Sequence, residues 1–256
     1  MLFYILGGEG FLGSSFCRYF KKNNIKFISI TRKNYKKYSN TKCDTFINCN
    51  GNSIKWLSDK NYSTDFEKTV ISTHDSIKDF KFKKYILISS GEVYNKVSKS
   101  KNESCKIFVN GLSNYGFNKL IAEEIIKRSS SKYLIFRMGG FVGRNLKKNL
   151  IYDLINDKKI WVSKKSTFQY IDVDQATEMV IKVHKKYTNQ VLNLTGKTPI
   201  STKDILKLLN KKKVIFSKNS RLEKNNLSIK KINKILNVPE TKKELKNFYD
   251  NIKNSN

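Results

Sequence analysis

Two residues four apart, Tyr115 and Lys119, carry the most specific chemistry in this 256-residue chain. On a helix they share one face, with about 5–6 Å between their Cβ atoms. An ammonium beside a phenol favours the phenolate, so the spacing predicts a Tyr115 pKa drawn down from about 10 and a general acid or base. Upstream, Leu87-Ile88-Ser89-Ser90-Gly91-Glu92-Val93-Tyr94 puts two hydroxyls at the end of an apolar run. Ligands of open α/β sheets bind at the carboxyl ends of strands. Ser90 is thereby placed to hydrogen-bond the substrate oxygen that Tyr115 protonates.

A second constellation lies near the start, at Gly7-Gly8-Glu9-Gly10-Phe11-Leu12-Gly13. Glycines at 7, 10 and 13 suit a dinucleotide loop: one for the tight turn, one for close approach of a pyrophosphate, one for helix–strand packing. The amides of Phe11, Leu12 and Gly13, at the helix start, face the phosphates. About twenty residues past Gly10, a site for NAD usually has Asp or Glu to hold the ribose 2′-hydroxyl. Here the second strand ends Ile30-Thr31-Arg32-Lys33, with no acid between Asn23 and Cys43. Arg32 and Lys33 suit a 2′-phosphate, so NADP(H) is expected in preference to NAD(H), with Thr31 and Arg32 counted to the cofactor site.

These groups need strands to end at them and helices to start from them. Short apolar runs at Leu2–Leu6, Lys26–Ile30, Thr45–Cys49, Tyr85–Ser89, Tyr133–Arg137 and Gln190–Leu194 read as strands. Helical spacing falls on Phe11–Lys22, Tyr62–Phe82, Asn114–Arg128 and Gln175–Lys186. The alternation predicts an α/β fold: a Rossmann-type doubly wound parallel sheet with a small C-terminal substrate lobe. The dinucleotide-binding core is expected over about 1–143 and 172–196, the lobe over about 144–171 and 197–256. In the lobe, Leu150–Ile155, Thr202–Leu209, Ile229–Leu236 and Glu240–Ile252 read as helices and Thr167–Ile171 as a strand. Asn95–Asn102 is the most loop-like stretch.

Charge points elsewhere at first sight. Fifty-one Lys+Arg against 21 Asp+Glu give +30, which invites a polyanionic partner. Yet 45 of those cations are Lys and only six are Arg, whereas dedicated readers of phosphate lean on Arg forks. Ala and Pro are also scarce, at two each, so the pattern follows an AT-rich codon bias. No nucleic-acid partner is expected. The four cysteines lack C-x-x-C spacing and the two histidines lie apart from them, so no metal site is expected. No apolar run is long enough to span a membrane, and Met1–Leu6 is too short for a signal peptide. Free thiols and a cytoplasmic location follow as expectations.

The ordered set of motifs resembles the extended short-chain dehydrogenase/reductases, the NAD-dependent epimerase/dehydratase family. The glycine loop, Ile47-Asn48-Cys49-Asn50-Gly51, the Ser89–Tyr94 segment and Tyr115-x-x-x-Lys119 carry the likeness. So do Phe136-Arg137-Met138-Gly139-Gly140-Phe141-Val142-Gly143, Tyr170-Ile171-Asp172-Val173-Asp174 and Val191-Leu192-Asn193-Leu194. The resemblance implies Ser90, Tyr115 and Lys119 as catalytic residues, with Tyr115 and Lys119 also touching cofactor. It adds Asn50, Gly51 and Gly139 to the cofactor site, nucleotide sugars as substrates, and a homodimer through the 62–82 and 114–128 helices. Family members that dehydrate sugars carry an Asp-Glu pair where this chain has Gly91-Glu92, so dehydration is disfavoured. The expected activity is NADP(H)-dependent reduction of a keto group on a (deoxy)sugar nucleotide, serving surface polysaccharide synthesis. A sugar-nucleotide 4-epimerase is the alternative, and a non-catalytic dinucleotide-binding protein the third reading.

Overall fold

The run Phe3–Leu6 (β1) is buried at every position, as a strand covered on both faces must be. In this computed structural model, which describes residues 1–96 and 101–254, β1 pairs in parallel with Phe27–Ile30 (β2) and with Lys42–Asn48 (β3). Residues 97–100 of the loop-like Asn95–Asn102 stretch lie outside the described residues. Lys81–Ser90 (β4) and Tyr133–Met138 (β5) extend the sheet in parallel, and Gln190–Leu194 (β6) completes it. The six strands lie in the order β2-β1-β3-β4-β5-β6. The chain thus leaves β1 in one direction and returns on its other side, which makes the carboxyl ends of β1 and β3 a topological switch point.

Alternate side chains of β1 serve opposite faces. Phe3 meets Phe20 of the helix Phe11–Lys22 (α1), ring centroids 4.6 Å apart. Tyr4 and Leu6 point into a core shared with Phe46, Phe80, Tyr85 and with Ala122 and Ile126 of the helix Asn114–Ser129. The described residues divide into two compact units: 1–96, 103–138 and 177–192, and 101–102, 139–176 and 193–254. The second unit has its own core, including Val142, Leu150, Leu154, Ile160, Phe168 and Leu245. No helix among the described residues is long and apolar enough to cross a membrane.

Three sequence readings change. The helix expected over Tyr62–Phe82 is Tyr62–Phe66 (α2), a π-helical turn Glu67–Ile71, and Ser72–Asp79 (α3). Phe80 turns extended so that its ring can pack edge-on against Tyr4, and β4 starts at Lys81 rather than Tyr85. The strand expected at Thr167–Ile171 is two, Thr167–Phe168 and Tyr170–Asp172, paired with Ile200–Ser201 and Gly140–Val142 respectively. They are split by buried Gln169, whose amide nitrogen donates to the carbonyls of Gly196, Lys197 and Leu227. Short strands at Ile160–Val162 and Phe216–Arg221 pair in parallel, with little apolar alternation to mark them. Among the described residues other than glycine, positive φ falls on six asparagines (24, 40, 145, 149, 189 and 210) and on Asp157.

One buried ion pair ties the Asn114–Ser129 helix (α4) to the sheet. Arg137 near the end of β5 donates from Nε to both oxygens of Glu123 on α4, at 3.0 and 3.1 Å, and from a terminal nitrogen to Oε2 at 2.7 Å. Ser89 at the end of β4 donates to Oε1 at 2.5 Å. The guanidinium carbon lies 4.8 Å from the centroid of the Tyr94 ring. Glu123 is wholly buried and Arg137 nearly so. Removing one partner of such a pair strands the other charge, at about 3–5 kcal/mol. Glu123→Gln is therefore expected to lower stability in urea by about that much. Glu123→Leu combined with Arg137→Met is expected to lose less than the single variant; an equal or larger loss would mean that the pair is not the source.

Candidate active site

The glycine loop follows β1 directly, and its close contacts explain its composition. Gly7 has φ +80°, and a Cβ there would lie 3.2 Å from the Asn50 amide nitrogen beyond β3. A Cβ on Gly13 would lie 2.1 Å from the Gly7 carbonyl oxygen, so no side chain fits between α1 and the turn. At the start of α1, Gly10 provides no side-chain cap and the first turn holds no acid. The amides at a helix start and the positive end of its dipole suit an anionic pyrophosphate. The loop therefore fits a dinucleotide by what it leaves open. Leu12 is buried, Phe11 half-buried.

At the end of β2 the Thr31 amide donates to Asn34 Oδ1 at 2.7 Å, and Asn34 Nδ2 donates back to the Ser29 carbonyl at 2.9 Å. This small turn leaves Arg32 and Lys33 exposed just past the strand. Asn50 gives its side chain to Ser72 Oγ, at 2.7 Å, so its backbone is the part that meets the glycine loop. Gly51 has φ +118°, and a Cβ on it would lie 2.7 Å from Lys119 Nζ. The open space beside that ammonium exists because residue 51 has no side chain. Gly139 belongs to the second unit, where its amide donates to the Leu194 carbonyl and Thr195 Oγ1 occupies the place of a Cβ.

Ser90, Tyr115 and Lys119 come together as their spacing anticipates. Ser113 caps α4 by accepting from the Gly116 amide at 3.2 Å, which starts the helix one residue before Tyr115. Ser90 ends β4, accepts from the Glu92 amide, and lies near enough to the Tyr115 phenol to favour its charged form. Lys119 Nζ lies 5.9 Å from the centroid of the Tyr115 ring. The electrostatics differ from expectation. Burial, with Glu92 and Asp65 adding to it, drives the Tyr115 phenol well above its ordinary range, and the Ser90 hydrogen bond only partly offsets them. The protein alone therefore holds a protonated phenol, not a phenolate. Lys119 is itself lowered to about 8 by burial, with Asp65 and Glu123 opposing.

Several groups at the site escaped sequence reasoning. Glu92 pairs with Lys55 at 2.5 Å, so the acid left in the Ser89–Tyr94 segment is neutralised by a lysine that follows the Gly51 loop. Glu123 had a signal, since it continues the Tyr115–Lys119 face by one more turn of helix. Asp65 had none, because its partner Asn118 is fifty-three residues away in sequence.

Residues 3–195 match the family model described as the NAD-dependent epimerase/dehydratase family. Among solved structures, the fold is similar to a UDP-glucuronic acid 4-epimerase from Bacillus cereus, in complex with UDP-glucuronic acid and NAD. The TM-score is 0.82 at 19% identity, covering 100% of both chains. A dTDP-4-dehydrorhamnose reductase from Clostridium acetobutylicum gives 0.80 at 19%, over 99% of this chain and 100% of that one. A UDP-glucose 4-epimerase from Thermotoga maritima gives 0.82 at 16%, over 100% and 99%. At these identities the likeness is one of fold.

Burying Lys119 has a thermodynamic consequence. Each tenfold change in proton affinity is about 1.4 kcal/mol, so bringing this lysine from 10.5 to about 8 costs the folded state about 3 kcal/mol at neutral pH. The penalty is full below pH 8 and disappears as pH rises towards 10.5, because the unfolded chain then also loses the proton. Lys119→Met is expected to be more stable than the parent at pH 7 by up to about 3 kcal/mol, with the gap closing by pH 10 in parallel urea titrations. A gap independent of pH would contradict this account.

Proposed function

The chain belongs to the NAD-dependent epimerase/dehydratase family, and on that premise we propose that it reduces a keto group of a (deoxy)sugar nucleotide with NADP(H). The observation that carries this reading is the buried Tyr115 phenol beside Lys119 and near Ser90, in surroundings that favour its protonated form. A reductase needs a proton donor at rest. Ser90 donates to the substrate carbonyl oxygen and fixes its direction, and Tyr115 delivers its proton to that oxygen. Lys119 holds the nicotinamide ribose and balances the charge left on the phenol. Gly7, Gly10, Phe11, Leu12, Gly13, Asn50 and Gly51 line the pyrophosphate and adenosine end, and Gly139 follows the strand near the nicotinamide. When bound, the nicotinamide supplies the hydride.

Glu92 is tied to Lys55 and Gly91 has no acid, which supports reduction over dehydration. The exposed Arg32 favours the 2′-phosphate of NADP(H). Exposed Tyr62 and Ile71, on α2 and the π turn, support a homodimer through this side of the molecule. The free cysteines accord with a reducing cytoplasm, and the product with supply of surface polysaccharide.

The deciding experiment follows NADPH absorbance with a panel of 4-keto sugar nucleotides. Stoichiometric oxidation with reduced sugar formed is expected; product formed without net oxidation would make the enzyme a 4-epimerase. Tyr115→Phe, which keeps the ring and removes the donor, is expected to lower kcat by about 10²–10⁴-fold. Arg32→Ser is expected to weaken NADPH binding about tenfold or more while leaving NADH binding near the parent value, since one charged hydrogen bond is worth about 1.5–3 kcal/mol. Equal losses for both cofactors would assign Arg32 no part in selecting between them.

A further inference from the structure

We propose that Asp65 is a positioning residue for Lys119: a buried countercharge on α2 that balances its ammonium and, through Asn118, fixes the helical turn that carries it. Asp65 has no solvent exposure, although it sits in the first turn of a short helix where an exposed acid would serve the dipole as well. One carboxylate oxygen accepts from Asn118 Nδ2 at 2.8 Å, from the residue next to Lys119. The other accepts from Thr69 Oγ1 at 3.2 Å, inside the π turn. Thr69 Oγ1 in turn accepts from the Asn52 amide at 3.2 Å, next to Gly51. Asp65 is thereby bonded to both walls of the space around the Lys119 ammonium. Thr69 stands four residues past Asp65, on the same face of the helical run, and lies inside the π turn.

Stability gives no reason for this arrangement. Asn118 is fully buried, and its Oδ1 has no hydrogen-bond partner. A buried unsatisfied acceptor costs about 1–3 kcal/mol, so an apolar pair would serve packing better. What the arrangement supplies is negative charge at a chosen place.

The charged and titratable groups around Lys119 can be enumerated by element. On its own helix are Glu123, committed to Arg137 and Ser89, and Tyr115, kept neutral. From the end of β3 comes Cys49, whose thiol burial holds neutral. From α2 comes Asp65. Glu123 is already engaged by a guanidinium, which leaves Asp65 as the carboxylate free of a cationic partner among these four. Asp65 and Glu123 both act against the loss of the Lys119 proton.

This proposal rests on the functional reading for its meaning, but its test does not need substrate. Lys119 would be followed in the protein without ligand by NMR of 13Cε-labelled lysine as a function of pH, assigned with Lys119→Met. In Asp65→Asn the Lys119 titration is expected to move down by at least about one pH unit. Asn118→Ser, which cuts the tether but keeps the charge, is expected to move it much less. If Asp65→Asn does not fold, Asp65→Ser carries the same measurement with less volume. An unmoved titration in a folded Asp65 variant overturns the proposal whatever the activity. With an active substrate in hand, the alkaline limb of kcat/KM is expected to follow the titration, whereas a merely structural role would lower activity at all pH values equally. Absence of any reductase activity together with a shifted titration would sink the functional reading and leave the role of Asp65 standing.

Discussion

The geometry of the reactive end depends on an ion pair that has no access to water. Glu123 and Arg137 join α4 to the ends of β4 and β5, and Ser89 and Tyr94 close the pair from two further sides. Apolar residues of similar volume would hold the helix to the sheet as well or better. They would not set its rotation. A two-pronged contact between a guanidinium and a carboxylate fixes direction as well as distance. Glu123 lies eight residues beyond Tyr115, about 12 Å along the axis, so a small error in rotation there carries the phenol away from Ser90. Ser89 and Ser90 are adjacent, one bonding Glu123 and the other facing Tyr115. The strand end thus contacts the helix at both ends of the relevant stretch.

The dinucleotide end and the reactive end meet at one loop. Cys49-Asn50-Gly51-Asn52 leaves β3 at the switch point, presents its backbone to Gly7, gives its side chains to Ser72 and Ser58, and passes beside Lys119. A phosphate-binding turn and a proton-transfer group are therefore held to a common piece of backbone. Change in either is felt by the other through contacts of a few ångströms, without any moving part.

Where the sequence was legible, it was because a motif's meaning is local. Gly7, Gly10 and Gly13, the α1 span Phe11–Lys22, and the Tyr115–Lys119 face all follow from spacing within a few residues. The order of short buried strands made the doubly wound sheet legible as well, since parallel strands need helical crossovers. Partnerships across the fold were not legible. Arg137 was visible as part of a strand-end motif, yet nothing within five residues of it names Glu123. The sign of the Tyr115 shift depended on how much water the fold excludes, which spacing alone does not report. The helix expected through Tyr62–Phe82 failed because Phe80, three residues past Ile77, has helical spacing but packs with Phe82 and β4 in the sheet core.

The asparagines at positive φ bear on how such a chain drifts. Left-handed backbone is usually thought of as glycine's domain, and asparagine is the side chain that tolerates it best. Here six asparagines occupy those turns, in a chain with only twelve glycines. Mutational pressure towards AT-rich codons can exchange one residue for the other wherever the turn asks only for an unusual dihedral angle. It cannot do so at Gly13 or Gly51, where the volume of any side chain is already taken by a carbonyl oxygen or an ammonium. At these contacts glycine is fixed by volume, whereas the asparagine turns are set by dihedral angle.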